Sequence, residues 1–148
     1  MNNNANSVVT LVAIVLVALL LGCNRVERLP TAPTRGVILF DNHPVASAHV
    51  TFTPERGRSA SAETKSDGSF VLGTYDPDDG AIVGEHFVTV TARDAGEVNT
   101  PGAPGIARPG RSRLPERYGN TGTSGLRYKV EPGQENVFEI RLTTSNGK

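Results

Sequence analysis

The sequence predicts an all-β fold, a seven-stranded antiparallel β-sandwich, and three observations predict it. From residue 35 onward, apolar residues recur with a period of two, not 3.6. The short apolar runs are rich in β-branched residues and are separated by Gly, Pro, Asp and Asn. No amphipathic helix of useful length interrupts them. Two sheets that bury one shared core are the usual architecture for such a pattern.

Seven segments carry the strand pattern, namely residues 36–40, 48–53, 60–65, 69–73, 84–93, 126–130 and 137–142. In the second, Ala48, Val50 and Phe52 alternate toward the core, and Pro54 ends the strand. Between the third and fourth, Asp67-Gly68 favours a tight hairpin. The expected core-facing residues of the later strands are Phe70, Leu72, Val88, Val90, Ala92, Leu126, Tyr128, Val130, Phe138, Ile140 and Leu142.

Residues 1–22 are predicted to be a helical signal peptide that is removed by cleavage. Residues 8–21 read VVTLVAIVLVALLL. At about 1.5 Å per residue this run spans roughly 20 Å as a helix, short of the ~30 Å hydrocarbon core of a bilayer. It therefore suits the apolar region of a signal peptide better than a permanent span. The preceding MNNNANS departs from the usual pattern because it lacks Lys and Arg.

Leu20-Leu21-Gly22-Cys23 follows the apolar run and resembles the bacterial lipobox. The resemblance implies that signal peptidase recognises Leu20, Leu21 and Gly22, cleaves after Gly22, and leaves lipid such as palmitate on Cys23. Two or three acyl chains would anchor the protein firmly to a membrane. The residue after the cysteine is Asn24 and not Asp, which resembles the pattern of lipoproteins sorted to the outer membrane. A periplasmic or surface-facing outer-membrane lipoprotein is therefore favoured. The alternative is an uncleaved helix that ends in an inert cysteine.

The remaining chain divides into three parts. Residues 23–34 lack periodicity and contain Pro30 and Pro33, which is typical of an extended tether. Residues 35–143 are the predicted sandwich, and residues 144–148 are a polar tail. Within the sandwich, residues 94–120 form a connection too long for an ordinary strand linker.

Turn and core positions of this sandwich resemble a known family. They read Pro44-Val45-x-x-Ala48-x-Val50-x-Phe52-x-Pro54, Thr64-x-x-Asp67-Gly68-x-Phe70, Gly84-x-His86-x-Val88-x-Val90 and Pro115-x-x-Tyr118. They look like the carboxypeptidase regulatory-like domain of small bacterial surface lipoproteins, which is similar in fold to transthyretin. The resemblance covers about residues 34–143 and implies a non-catalytic binding or structural module. One departure is Asn42-His43, where the family usually has a Gly in the first hairpin.

Composition limits the partners and the chemistry. The chain has 15 Lys and Arg against 15 Asp and Glu, so its net charge does not favour nucleic acid as a partner. Cys23 is the only cysteine, which excludes an internal disulfide, and no cofactor is expected. His43, His49 and His86 lack zinc-motif spacing and are expected to be solvated or edge side chains.

Catalysis is not expected, although two enzyme classes remain as alternatives. Transthyretin-like hydroxyisourate hydrolases share the predicted fold, but their C-terminal Tyr-Arg-Gly-Ser signature is absent. Residues 122–125 do not match the G-x-S-x-G nucleophile motif. A metal-dependent accessory enzyme would need scattered ligands. A carbohydrate-binding module is a further alternative, but the chain has no Trp to stack on sugars.

Two loops supply candidate binding residues. Residues 75–80 contain Asp76, Asp78 and Asp79, whose carboxylates are weak candidates for calcium, although an exposed turn is the favoured interpretation. The 94–120 connection contains four candidate anion-binding residues: Arg108, Arg111, Arg113 and Arg117. Guanidinium groups match phosphate and carboxylate, so envelope polysaccharide or another surface protein is an expected partner. The alternative is a hydrated loop that Leu114 and Tyr118 attach to the sheet.

Overall fold

The computed structural model describes residues 28–94 and 110–144. These residues contain ten strands and one 3-10 helix, Glu116–Gly119. The strands are β1 (Thr31–Ala32), β2 (Thr34–Phe40), β3 (His43–Pro44), β4 (Ala48–Pro54), β5 (Ala60–Glu63), β6 (Ser69–Val71), β7 (Ala81–Ile82), β8 (Gly84–Ala92), β9 (Leu126–Val130) and β10 (Asn136–Leu142). The predicted all-β class is confirmed. Within the described ranges, no helix is long and apolar enough to cross a membrane.

Two four-stranded sheets face each other across one core. The first sheet has the order β10-β2-β3 with β6 also paired to β2, and the second has the order β5-β4-β8-β9. Phe52 of the second sheet lies against Phe70 and Phe138 of the first, with ring centroids 6.4 and 5.8 Å apart. The aromatic contacts therefore join the two layers.

The alternation rule placed the core correctly. Ala48, Val50 and Phe52 are fully buried. The other predicted core residues are also buried, except Leu126, Tyr128 and Phe138, which are partly buried and pack against the core. Each large apolar side chain that is fully buried contributes about 1.5–3 kcal/mol relative to an exposed one.

The strand count and one pairing differ from the prediction. The seven predicted strands are all present, and the described residues add three two-residue strands: β1, β3 and β7. β2 and β10 run parallel along their whole length, from Thr34 beside Asn136 to Phe40 beside Leu142. A parallel pair needs a long crossover connection, and here the chain from β3 to β9 provides it.

The two predicted turns behave differently. Asp41 and Asn42 both adopt positive φ, 48° and 66°, and Phe40 pairs with His43. These two residues form a tight hairpin without glycine, as Asn and Asp can. Asp67-Gly68 also forms a tight turn, but β5 and β6 on its two sides belong to different sheets. The predicted hairpin is therefore a crossover between the layers, and an isolated bridge between Ser61 and Gly73 joins them again.

Residues 28–34, expected to be part of the tether, pack on the sandwich. β1 pairs with β7, and the Val83 N–H donates to the Pro30 carbonyl at 3.0 Å. The Pro33 carbonyl accepts from the Asn136 N–H at 2.8 Å. The folded part thus includes residues upstream of the predicted boundary at residue 35. Proline suits such a position because it tolerates the extended conformation and edge strands.

The strands define two ends of the sandwich, which we name by the chain that reaches them. The entry end lies where β2 and β10 begin and carries residues 28–33, 55–59, 73–80 and 131–135. The far end lies where β2 and β10 stop and carries residues 41–47, 64–68, 110–119 and 143–144. Arg28 and the described part of the arginine loop are therefore at opposite ends.

Candidate functional site

Five of the sequence-predicted site residues lie outside the described ranges. They are Leu20, Leu21, Gly22 and Cys23 of the lipobox and Arg108 of the arginine loop. Arg111, Arg113 and Arg117 are described and lie at the far end. Asp76, Asp78 and Asp79 lie at the entry end. The structure therefore separates the two loops that the sequence suggested as binding sites.

Arg113 and Arg117 bind the domain itself. The Arg113 guanidinium donates to the Ala46 carbonyl at 2.6 Å, and its Nε lies 3.8 Å from a carboxylate oxygen of Asp94. Arg117 lies over the Tyr118 ring, 4.5 Å from its centroid, and donates to the Thr143 carbonyl. These guanidinium groups hold the far end together.

Tyr118 fixes the end of β10. Its hydroxyl accepts from the Thr143 N–H at 2.9 Å and donates to the Thr143 carbonyl at 3.1 Å. Burial raises the pKa of Tyr118, but hydrogen bonds from Thr143 and Arg117 outweigh it, so the pKa lies below its ordinary value. The predicted role of Tyr118 as an attachment of this loop to the sheet agrees with these contacts.

Arg111 differs from the other two described arginines. Its side chain is exposed and has no hydrogen bond or ion pair with any residue in the described ranges. Arg93, on the neighbouring strand end, donates to the Gly110 carbonyl at 3.4 Å. The anion-binding hypothesis therefore depends on Arg111 in the described part of the loop, and it stays a prediction.

The acidic loop is organised by its own backbone. One Asp79 oxygen accepts from the Thr74 N–H at 2.6 Å, and the other accepts from the Tyr75 N–H at 3.1 Å. Asp76 pairs with Arg28 at 2.8 Å, and Asp78 has a positive φ of 61°. Residues 28–94 and 110–144 contain no group of three His, Cys, Asp or Glu that could hold a metal ion. The Asp79 carboxylate therefore stabilises the turn, and the Asp76 carboxylate binds Arg28.

His86 contradicts the expectation of three solvated or edge histidines. His43 and His49 are exposed, but His86 is buried and lies beside Phe52, with ring centroids 5.7 Å apart. Its Nε2 is 2.6 Å from the Ile82 carbonyl, which requires a proton on Nε2. Its Nδ1 has no hydrogen-bond partner among the described residues. His86 is thus a core residue of β8.

A groove lies on the outer face of the first sheet. It has a volume of about 550 Å³ and crosses β10, β2 and β6. Because side chains alternate along strands, Val137, Val37 and Val71 point away from the core and form its apolar floor. Val137 is 63% exposed and Val71 is 38% exposed, and the described residues contain no other large hydrophobic residue that is exposed.

Charged side chains surround this floor. Arg35 forms an ion pair with Glu135 at 2.9 Å, and Glu139 forms one with Arg141. Lys65 also lines the groove, and its ammonium group interacts electrostatically with the Asp67 carboxylate. An apolar surface with a charged rim is typical of a binding site.

Sequence reasoning missed this groove, although the sequence contained a signal. Val37-Ile38-Leu39-Phe40 is an unbroken apolar run, and a strand that is polar on one face would have alternated. The parity that puts Phe138 and Ile140 in the core also puts Val137 on the opposite face. An outward valine in several strands therefore indicated an apolar outer face.

Comparison with known proteins does not assign a family. No family model matches the chain, and no curated protein matches it. Among solved structures, a 9R-lipoxygenase from Cyanothece PCC8801 is similar at 14% identity and a TM-score of 0.39. That match covers 82% of this chain and 18% of the lipoxygenase, so the chain spans under a fifth of that protein.

A second similar structure is the dioxygenase domain of a dioxygenase and carbohydrate-binding protein fusion from Streptomyces sp. SirexAA-E. It shares 17% identity with a TM-score of 0.36, and the match covers 82% of this chain and 85% of that domain. Neither similarity is close enough to support a functional argument.

Proposed function

We propose that this protein is a lipid-anchored, non-catalytic binding or structural module of the cell envelope, with a transthyretin-like sandwich. Lipid on Cys23 attaches it to a membrane, with the outer membrane favoured. The observation that carries the binding role is the groove, because the exposed large hydrophobic residues of the described chain, Val71 and Val137, both line it. Clustering of this kind is expected of a surface that a partner covers.

The packing of the entry end supports a short tether. Arg28 lies over the Tyr75 ring, 5.3 Å from its centroid, and the Leu29 N–H donates to the Tyr75 hydroxyl at 3.0 Å. Five residue steps separate Cys23 from Arg28. They reach at most about 18 Å when fully extended. An anchor at Cys23 would therefore keep the entry end close to the bilayer and the far end away from it.

The aromatic contacts give no support to the carbohydrate-binding alternative. Tyr75, Tyr118 and Phe87 each have an arginine guanidinium over the ring, from Arg28, Arg117 and Arg127 respectively. Sugar-binding platforms need an open aromatic face. We therefore favour a protein partner for the groove.

The anchor is tested by Cys23→Ser in cells fed with labelled palmitate. We expect the variant to lose the label and to remain as an unprocessed precursor, whereas a matched Asn24→Ser control keeps both label and processing. Labelled, membrane-retained Cys23→Ser protein would refute the anchor. In Asn24→Asp, the sorting hypothesis predicts a shift from the outer to the inner membrane fraction.

The binding role is tested on intact cells with a photo-crosslinking residue at position 137. The matched control places the same residue at position 49, which is exposed on the outer face of the second sheet. We expect one discrete adduct from position 137 and no discrete adduct from position 49. Equal adducts from positions 137 and 49 would contradict a binding surface in the groove.

A further inference from the structure

β10 is an edge strand whose free side can be assigned residue by residue. The Asn136 N–H donates to Pro33, and the Leu142 carbonyl accepts from the Asp41 N–H at 3.0 Å. The even-numbered residues of β10 therefore direct their backbone groups toward β2. In a β-sheet, the residues between them direct their backbone N–H and C=O groups to the opposite side of the strand, away from β2. Val137, Glu139 and Arg141 thus present their backbone to the open edge.

Among the described residues, the Tyr118 side chain closes this edge just beyond Arg141. The backbone N–H and carbonyl of Thr143, the next residue of the same parity, bind the Tyr118 hydroxyl. No described strand pairs with the open side of β10 at Val137, Glu139 and Arg141. The open stretch therefore has defined limits, with the Tyr118 contact at the far end and the 131–135 turn at the entry end.

The chemistry of the open stretch specifies an extended polypeptide. Donor and acceptor groups repeat about every 7 Å along a strand, a spacing that another strand matches. The β9 edge of the second sheet is different, because its outward side chains include Arg127 and Lys129, and like charges protect an edge from pairing. On β10 the outward side chains are apolar, acidic and basic in turn, so they can be matched by a complementary sequence.

We propose that an extended segment of another protein adds to β10 as an antiparallel fifth strand of the first sheet. An acidic side chain of the segment lies opposite Arg141, a basic one opposite Glu139, and an apolar one covers Val137. The partner therefore reads acid-x-base-x-apolar from its N-terminus. This inference rests on the proposed binding role and specifies its partner; it does not depend on the lipid anchor.

The test uses the full chain purified in detergent and two synthetic peptides. The matched peptide is Thr-Asp-Thr-Lys-Thr-Val-Thr, and its control, Thr-Lys-Thr-Asp-Thr-Val-Thr, has the same composition with the charges exchanged. We expect the matched peptide to bind at least fivefold more tightly and to slow amide exchange at Val137, Glu139 and Arg141. Equal affinity of the two peptides, or no slowing at these amides, would overturn the proposal.

Variants of exposed residues sharpen the test without disturbing the core. A double variant, Glu139→Lys with Arg141→Glu, keeps the ion pair within β10 and should reverse the preference between the peptides. Val137→Lys should weaken binding at least tenfold. Val71→Lys should not, because β6 would lie three strand spacings, roughly 14 Å, from the added strand. Equal loss from Val71→Lys and Val137→Lys would place the peptide on the sheet face and overturn strand addition.

Sedimentation of the full chain without peptide separates a foreign strand from a second copy. We expect a monomer. A dimer that Glu139→Lys abolishes would overturn the proposal, since β10 would then pair with β10 of a second copy. The proposed function fails separately. If the crosslink at position 137 forms but neither peptide binds, the binding role stands and strand addition is wrong.

Discussion

Each end of the sandwich places an arginine over a tyrosine ring, yet the two arrangements differ in how much they stabilise the fold. At the far end, Tyr118 is buried and binds both backbone groups of Thr143. At the entry end, Arg28 and Asp76 form an ion pair whose side chains are 63% and 64% exposed. The hydrogen bonds of Tyr118 are partly buried, and such bonds contribute more than exposed ion pairs, which are screened by water. The far end is therefore expected to be integral to stability, and the entry end is fastened mainly by backbone pairing.

The largest expected effect comes from removing the two tyrosine side chains in turn. Tyr118→Ala deletes a buried ring and should lower the free energy of unfolding by about 3–5 kcal/mol. Tyr75→Ala removes a half-buried ring and should cost less than half as much. Urea unfolding of the two variants measures the difference. Equal losses would show that the entry end is as integral as the far end.

Hydroxyl deletion isolates the hydrogen bonds from the packing. Tyr118→Phe keeps the ring but leaves the Thr143 N–H without its partner, so we expect a loss of about 1–2 kcal/mol. The matched control, Tyr75→Phe, loses the partly exposed hydrogen bond from the Leu29 N–H. It should lower the free energy of unfolding by a few tenths of the Tyr118→Phe loss. A negligible effect of Tyr118→Phe would mean that water or Arg117 replaces the hydroxyl at Thr143.

Alkaline titration distinguishes Tyr118 from Tyr128. Hydrogen bonds hold the pKa of Tyr118 below its ordinary value despite its burial, so ionisation of this residue adds stability as the pH rises toward about 10. Burial raises the pKa of Tyr128, so its contribution is complete below pH about 10 and is lost as the pH rises above that value.

The two phenylalanine variants should therefore change the alkaline limb in opposite directions. Relative to the native chain, Tyr128→Phe should lose less stability above pH 10, and Tyr118→Phe should lose more. The measurement is the urea midpoint from pH 8 to 11, with absorbance at 295 nm as the record of tyrosine ionisation. Parallel curves for the two variants would contradict the assigned environments.

The core and the class of the fold could be predicted because they depend on local alternation. The same parity rule also places His86 in the core, in step with Val88 and Val90. His86 was predicted to lie at an edge because its side chain is polar. Its hydrogen bond to the Ile82 carbonyl permits burial instead. Local pattern was thus more informative than residue type at this position.

The pairing of β2 with β10 could not be predicted in this way. Thr34 and Asn136 are far apart in the chain, and the alternation of each strand specifies a buried face but not a neighbour. The groove and the open edge both follow from that pairing, because it brings Val137 beside β2. The arginine and acidic loops were visible in composition, yet the structure uses Arg113, Arg117 and Asp79 to bind backbone.

The smallest expected effect is that of the Arg28 and Asp76 ion pair, and it sharpens the contrast between the ends. Arg28→Ala and Asp76→Ala should each lower the free energy of unfolding by no more than about 1 kcal/mol, since exposed pairs contribute little. The loss should shrink further in high salt. Amide exchange at Leu29 should nevertheless speed up in Arg28→Ala, because the guanidinium covers the ring whose hydroxyl holds that amide. Unchanged exchange at Leu29 would mean that the β1–β7 pairing alone orients the chain as it enters the domain.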